Sequence, residues 1–143
     1  MEIRIAEHFS KEHFGAVKLR KQVLGSKIDY KQEEKLIVFV AIENGEVVGT
    51  ASVQLYRWRV ARVRQVAVLP EYQGQSIGDQ LMASCEAFAK AHNHPRLVLT
   101  ARKVSSLFYL KRDYHIFLFS FKRQAIDFFW MTKRLDTLET IEA

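Results

Sequence analysis

The sequence has little cysteine and little proline. Its single cysteine, Cys85, cannot form an internal disulfide or a multi-cysteine zinc site, which excludes a disulfide-stapled secreted mini-protein. The two prolines, Pro70 and Pro95, lie far apart, and no low-complexity linker or repeat divides the chain. With 143 residues, 48% of them hydrophobic, the chain can bury a stable core without disulfides or a structural metal. We therefore expect a single domain over residues 1–143.

Long hydrophobic runs are also absent. No segment approaches the length of about 18 apolar residues that a transmembrane helix needs, and residues 1–15 lack the apolar stretch of a signal peptide. We therefore expect a cytoplasmic protein without a membrane partner.

Acidic residues are scarce in part of the chain. The sequence has 22 Lys and Arg against 16 Asp and Glu, a net charge of +6. The stretch 102–134 contains eight basic residues but only two acidic ones, Asp113 and Asp127. This balance favours anionic partners, of which nucleic acid is one candidate.

Hydrophobic spacing predicts strands and helices along the whole chain. The predicted elements are a strand at 2–6, a helix from an N-cap at Ser10 to about Leu24 with Gly25 closing it, strands at 36–42 and 46–56, a strand at 61–69, a helix from Ile77, a strand at 96–101, a short helix at 105–112, and strands at 116–121 and 126–135.

Two local signals are specific. The dipeptide Asn44-Gly45 readily adopts positive φ at both centres of a tight turn, which predicts a hairpin. From Ile77 to Phe88, apolar residues recur every three or four positions, so Cys85 is interpreted as a packed core thiol. Helices interleaved with hairpin strands predict an α/β fold with a mixed, mostly antiparallel central sheet and helices on both faces.

The segment from Val63 to Leu81 is typical of an anion site. It combines a buried strand, a stop at Pro70, a glycine-bearing loop and the start of a long helix. Backbone N–H groups at a helix N-terminus stabilise phosphate, and Gly74 and Gly78 allow close approach of a ligand. The segment matches neither a P-loop nor GxGxxG. From the residues alone, an ordinary strand-to-helix turn stays open.

The same segment resembles motif A of the GNAT superfamily of N-acetyltransferases, whose pyrophosphate loop has the pattern Q/R-x-x-G-x-G/A. In this chain the pattern falls on Gln73, Gly74, Gln75, Ser76, Ile77 and Gly78. Ser76 stands where the family has its middle glycine. Together with the element order and Phe108-Tyr109 in a later helix, the resemblance extends over about residues 36–135.

The resemblance implies splayed central strands and binding of acetyl-CoA as co-substrate. Main-chain groups of Val66, Ala67 and Val68 would contact the pantetheine and the acyl carbonyl, left available by a bulge or a splayed edge. The loop 73–78 would hold the pyrophosphate, and no metal would be needed.

The resemblance also implies a catalytic residue. Tyr109 lies where many members have a tyrosine that protonates the departing CoA thiolate. Arg102 replaces an asparagine that helps to hold CoA, and its guanidinium would meet a CoA phosphate instead. Asp113-Tyr114 replaces a Gly-aromatic pair that ends the helix.

The implied function is N-acetyl transfer from acetyl-CoA to a primary amine of a small molecule or peptide, by direct attack in a ternary complex. No residue is singled out as the base, since Glu33, Glu34, Glu43 and Glu71 are all candidate surface carboxylates. An alternative is a CoA-binding protein with weak or no turnover, suggested by the departures at Ser76, Arg102 and Asp113.

A second alternative is a basic nucleic-acid-binding module, suggested by Arg57, Trp58, Arg59, Arg62 and Arg64. Alternation along a hairpin with one solvent-exposed face explains this pattern equally well, so nucleic acid is not our expected partner. The aromatic segment 128–130 is either core or the surface of a homodimer.

Overall fold

A computed structural model of the chain describes residues 1–118 and 121–135. These residues have a mixed α/β fold in which a mostly antiparallel sheet is flanked by helices, which confirms the predicted fold class. The chain divides into two compact units. Unit 1 comprises residues 1–54 and 63–88, and unit 2 comprises 55–62 and the described residues from 89 onward.

The elements follow one another in the predicted order, except that the structure adds a short helix at Tyr30–Glu33, which was not predicted from the sequence. They are β1 (Glu2–Ala6), α1 (Lys11–Leu24), α2 (Tyr30–Glu33), β2 (Ile37–Glu43), β3 (Glu46–Tyr56), β4 (Val60–Val68), α3 (Ile77–Ala91), β5 (Arg96–Arg102), α4 (Ser106–Leu110), β6 (His115–Ile116), β7 (Phe121–Arg123) and β8 (Ile126–Arg134). Short 3₁₀ turns occupy Pro70–Tyr72 and Lys103–Ser105. Among the described residues, no helix is long and apolar enough to cross a membrane.

In unit 1, β1, β2 and β3 form an antiparallel sheet whose buried face packs against α1. The hairpin between β2 and β3 turns at Asn44 (φ 51°) and Gly45 (φ 78°), which confirms the predicted turn. Leu36, Val38 and Val40 are buried together with small residues of β1 and α1. This cluster fixes the first helix on the sheet.

Both ends of α1 are capped as the sequence predicts. The Ser10 side chain accepts a hydrogen bond from the His13 backbone N–H at 3.2 Å. At the other end Gly25 has a left-handed backbone (φ 69°), and its N–H donates to the Lys21 carbonyl at 3.0 Å. The helix therefore starts and stops where local sequence chemistry places its boundaries.

A charged cluster is buried beneath α1 and α2. Glu33 is only 2% exposed, and its carboxylate accepts two hydrogen bonds from Arg20 Nη1, at 2.8 and 2.9 Å. His13 Nε2 lies 2.8 Å from the same carboxylate, and His13 Nδ1 accepts the Phe9 backbone N–H at 2.7 Å. The prediction that Glu33 is a surface carboxylate is therefore wrong. Glu33 is buried because it pairs with Arg20, and it is not available to bulk solvent as a base.

In unit 2, a parallel strand pair joins an antiparallel one. Val60–Arg62 of β4 pairs in parallel with Arg96–Val98 of β5. β5 then pairs antiparallel with β8 over its full length, and β6 and β7 pair with β8. β4 runs six residues beyond the last residue in its ladder with β5, as far as Val68.

The prediction of a single strand over 116–121 is only partly correct. β6 ends at Ile116, which pairs with Met131, and β7 begins at Phe121, which pairs with Phe128. Ile116 and Phe121 are five residues apart, whereas their partners on β8, Met131 and Phe128, are only three apart. One continuous ladder from β6 to β7 is therefore impossible. Phe119 and Ser120, which belong to the predicted strand, lie outside the described residues.

The buried cluster generates a stability prediction. Glu33→Ala leaves the Arg20 guanidinium buried without its carboxylate, so we expect the free energy of unfolding to fall by about 3–5 kcal/mol, measured by urea denaturation. The control is Glu12→Ala, which removes a half-buried carboxylate 3.1 Å from the exposed guanidinium of Arg4 and should change stability much less. Equal effects of the two substitutions would contradict the assigned role of Glu33.

Candidate functional site

The start of α3 packs directly against β3 at Gly49. A Cβ at Gly49 would lie 3.1 Å from Ile77 Cγ2, 3.1 Å from Leu81 Cδ1 and 3.5 Å from the Ala67 carbonyl oxygen. A side chain at this position would force Ile77 and Leu81 to shift by a few tenths of an ångström, so glycine suits the close approach. The first two turns of α3 are therefore held against β3, beside the last residues of β4.

The last part of β4 is irregular at Gln65. This residue has a left-handed backbone (φ 57°), which is rare in a strand and is typical of a bulge. In the described residues, the buried Oε1 of its side chain has no hydrogen-bond partner. Beyond it, Ala67 is buried, and the Leu69 N–H donates to the Val48 carbonyl at 2.9 Å. The strand thus changes its backbone direction immediately before Val66.

The loop after β4 is fixed by its own hydrogen bonds. The Tyr72 N–H donates to the Leu69 carbonyl at 2.9 Å, and the Gln73 N–H donates to the Pro70 carbonyl at 3.2 Å. The Gln73 side-chain amide donates to the Val68 carbonyl at 3.0 Å. Gln73 therefore ties the loop to the end of the strand through its side chain, while its backbone N–H closes the turn on Pro70.

The loop then enters α3 through two left-handed residues. Gly74 has φ 81° and Ser76 has φ 64°, and no atom lies within 4 Å of a Cβ built on Gly74. The Gln80 N–H donates to the Ser76 carbonyl at 3.1 Å. Ile77 and Gly78 come before Gln80 in the first turn of α3, and their N–H groups lie at the positive end of the helix dipole. Such an arrangement attracts an anion.

Tyr109 lies on α4 in unit 2, within an aromatic group. Its half-buried ring is 5.0 Å from the Phe108 ring and 6.0 Å from the Tyr114 ring, both edge-to-face. Tyr114 is fully buried, and its N–H donates to the Tyr109 carbonyl at 3.1 Å. Asp113 ends this segment with a left-handed backbone (φ 71°), the conformation that a glycine would supply.

The remaining sequence candidates have different surroundings. Arg102 is exposed at the end of β5, opposite Phe128. Cys85 is fully buried, and burial raises the pKa of its thiol, which confirms that it is a packed core residue. Glu34 and Glu71 are exposed, and Glu43 is half-buried, 3.8 Å from the N-terminal amine.

The comparison with known families decides the classification. The sequence model described as the acetyltransferase (GNAT) family matches residues 3–114, well over half of the chain. The chain belongs to the GNAT acetyltransferase family. This confirms the resemblance that the loop 73–78 and the element order indicate.

Solved GNAT-like structures share the fold of this chain. The IAA acetyltransferase from Bacillus cereus has 18% identity and a TM-score of 0.75, with 94% of this chain and 99% of that chain covered. A GNAT family acetyltransferase from Elizabethkingia anophelis with acetyl-CoA bound has 18% identity, a TM-score of 0.74 and coverage of 94% and 97%. An aminoglycoside 6'-N-acetyltransferase complexed with coenzyme A has 14% identity, a TM-score of 0.78 and the same coverage.

The predicted site residues of this GNAT chain lie in both units. Val66, Ala67, Val68 and the loop 73–78 belong to unit 1, whereas Arg102 and Tyr109 belong to unit 2. The structure thus brings the strand end, the loop and the start of α3 together within one unit.

The sequence prediction missed two positions that shape this GNAT loop, Gly49 and Gln65. A glycine inside the β-rich run 46–56 is a signal of close backbone approach, and it points to Gly49. Nothing in the local sequence marks Gln65, because the left-handed backbone of a bulge is set by strand packing.

The left-handed backbone of Ser76 generates the second prediction. Ser76→Gly should raise the free energy of unfolding by up to about 1 kcal/mol, because the left-handed conformation is unfavourable for a residue with a Cβ. The control is Gln75→Gly, one residue earlier, where φ is not positive and glycine should lower stability by about 0.5–1 kcal/mol. Urea denaturation of both variants measures the contrast. A loss of stability in Ser76→Gly would refute the loop geometry.

Proposed function

We propose that this chain is an N-acetyltransferase that moves the acetyl group of acetyl-CoA to a primary amine by direct attack in a ternary complex. The observation that supports this most is the strand–loop–helix segment of unit 1, in a chain whose family is GNAT. Its left-handed Gly74 and Ser76 turn the loop into the N-terminus of α3, where phosphate is favourable.

In this proposal the loop holds the pyrophosphate through backbone groups. The N–H groups of Gly74, Gln75, Ser76, Ile77 and Gly78 donate to phosphate oxygens. Gln73 contributes indirectly, because its own N–H groups already hold the loop against Pro70 and Val68. The Elizabethkingia structure with acetyl-CoA bound has the same fold, which supports a CoA site in this chain.

The acyl group is proposed to bind along Val66, Ala67 and Val68. Gln65, directly before them, has the left-handed backbone that is typical of a bulge, and main-chain groups beside a bulge are suited to a ligand. A backbone N–H at the thioester oxygen would stabilise the oxyanion that forms as the amine attacks, an effect of about 3–4 kcal/mol per donor. The C–N bond forms, the C–S bond breaks, and the thiolate leaves.

Tyr109 is the proposed general acid for that thiolate. A phenol ordinarily has a pKa of about 10 and can protonate a thiolate of similar basicity. Burial of Tyr114 against Tyr109 limits the mobility of the phenol ring, and Arg102 is proposed to contact a CoA phosphate. The amine loses its proton to solvent or a water relay, since no carboxylate is assigned as the base.

We propose that both units belong to one GNAT domain, because the family match runs through residues of both. The single buried thiol of Cys85 fits a reducing compartment such as the cytoplasm. A small molecule or a peptide is the proposed source of the amine, and a homodimer stays a prediction.

Substitution of Gly78 tests the loop. Gly78→Leu places a side chain beside the proposed pyrophosphate, so the Kd for CoA should rise about tenfold or more, measured by titration calorimetry. Leucine also favours helix more than glycine does, so the fold should be retained. The matched control is Ala83→Leu, which is exposed on the same helix and should leave the Kd unchanged. Wild-type affinity in Gly78→Leu would remove the loop from the CoA site.

Substitution of Tyr109 tests the chemistry. Tyr109→Phe keeps the ring but loses the proton donor, so kcat should fall about a hundredfold while the Kd for acetyl-CoA stays the same. CoA release in the presence of a panel of amines measures kcat. Tyr30→Phe, which changes an exposed tyrosine of unit 1, is the control. An unchanged kcat at every pH would exclude Tyr109 as the general acid.

A further inference from the structure

The turn between β3 and β4 presents an exposed tryptophan. Trp58 is 91% exposed, more than any other large hydrophobic residue that the structure describes. Trp58 and Arg59 both have left-handed backbones, with φ 64° and 59°. Asparagine and glycine suit such positions, whereas a bulky side chain is unfavourable there. The turn thus holds a tryptophan in water on a strained backbone, and neither feature contributes to the core.

Three contacts hold this turn in place within unit 2. Arg59 Nη2 donates to Asn93 Oδ1 at 2.7 Å, and Arg59 Nε donates to the Asn93 carbonyl at 3.2 Å. The imidazole of His94 lies 3.1 Å from the Tyr56 carbonyl. Both ends of the turn are therefore tied to the loop that precedes β5. Because these contacts hold the turn in one conformation, less entropy is lost when a ligand binds the tryptophan ring.

The charge around Trp58 is positive. Arg57 and Arg59 flank it and are exposed, and the sequence has no acidic residue between Glu46 and Glu71 or between Glu86 and Asp113. At the adjoining end of the sheet, Val60 pairs with Arg96, and Arg96 pairs with Arg134 across β5 and β8. Beside the turn, two neighbouring strands, β5 and β8, therefore each carry an arginine. Arg96 is half-buried and uses Nη1 to donate to Thr132 Oγ1 at 3.3 Å.

Although the sequence alone did not favour nucleic acid, the exposure of Trp58 does, and we propose that this surface, Trp58 with Arg57, Arg59 and Arg96, binds single-stranded nucleic acid. The indole ring stacks on a base, and the guanidinium groups contact the phosphates on either side of it. One exposed ring suffices for stacking because every base has a flat aromatic face, so no pocket is needed on the protein. The positive charge of this surface matches a polyanion better than a single acidic side chain. This inference does not depend on the proposed acetyl transfer.

Fluorescence anisotropy with labelled oligonucleotides of about 20 nucleotides tests the surface. The probes are oligo-dT, oligo-rU and an abasic strand of equal length, which has the phosphates but no bases. Wild-type protein should bind at least one base-bearing strand about tenfold more tightly than the abasic strand. Trp58→Ala should remove this difference, and Trp58→Phe should keep much of it. Arg57→Ala should weaken binding to all strands and reduce its dependence on salt.

The controls separate stacking from charge and from folding. Tyr30→Ala removes an exposed aromatic ring in unit 1 and should leave binding unchanged. Trp58→Asn suits the left-handed backbone, so its thermal stability should equal or exceed that of the wild type while its preference for bases is lost. Equal binding to abasic and base-bearing strands would overturn the proposal. Unchanged binding by Trp58→Ala, or equally tight binding of polyglutamate that depends on Trp58, would also overturn it.

Discussion

The contact between Gly49 and the start of α3 is the constraint on which the candidate site depends. Because Gly49 has no side chain, Ile77 and Leu81 reach the β3 backbone, and α3 begins beside the end of β4. The loop between β4 and α3 must then close a short gap, and Gln73 bonds to Val68 across it. The conformation of the loop therefore follows from helix–sheet packing, and the loop residues adjust to it.

Local chemistry made much of the fold predictable. Asn44-Gly45 fixed the first hairpin, Ser10 and Gly25 bounded α1, and the apolar spacing from Ile77 placed α3. In each case the signal is a backbone or burial preference that one short segment expresses by itself. The loop 73–78 was predictable for the same reason, since its glycines and the following helix form a local pattern.

Features set by distant partners were not predictable. Glu33 has the sequence surroundings of a surface residue, yet it is buried because its carboxylate pairs with Arg20 and His13. The apolar run 116–121 has the composition of one strand, but β8 pairs with its two ends in registers that differ by two residues. Neither the charge pairing nor the register is encoded within the segment itself, so periodicity cannot supply it.

Two of the three departures from the GNAT pattern, Ser76 and Asp113, have a common physical explanation. Ser76 and Asp113 replace glycines of the family, and both adopt the left-handed backbone that glycine would provide. Serine and aspartate reach that conformation at a modest cost, and each keeps the backbone N–H that a glycine would have there. A motif that acts through its main chain constrains φ more than side-chain identity. Its glycines are therefore indicators of backbone geometry, and their replacement here leaves that geometry in place.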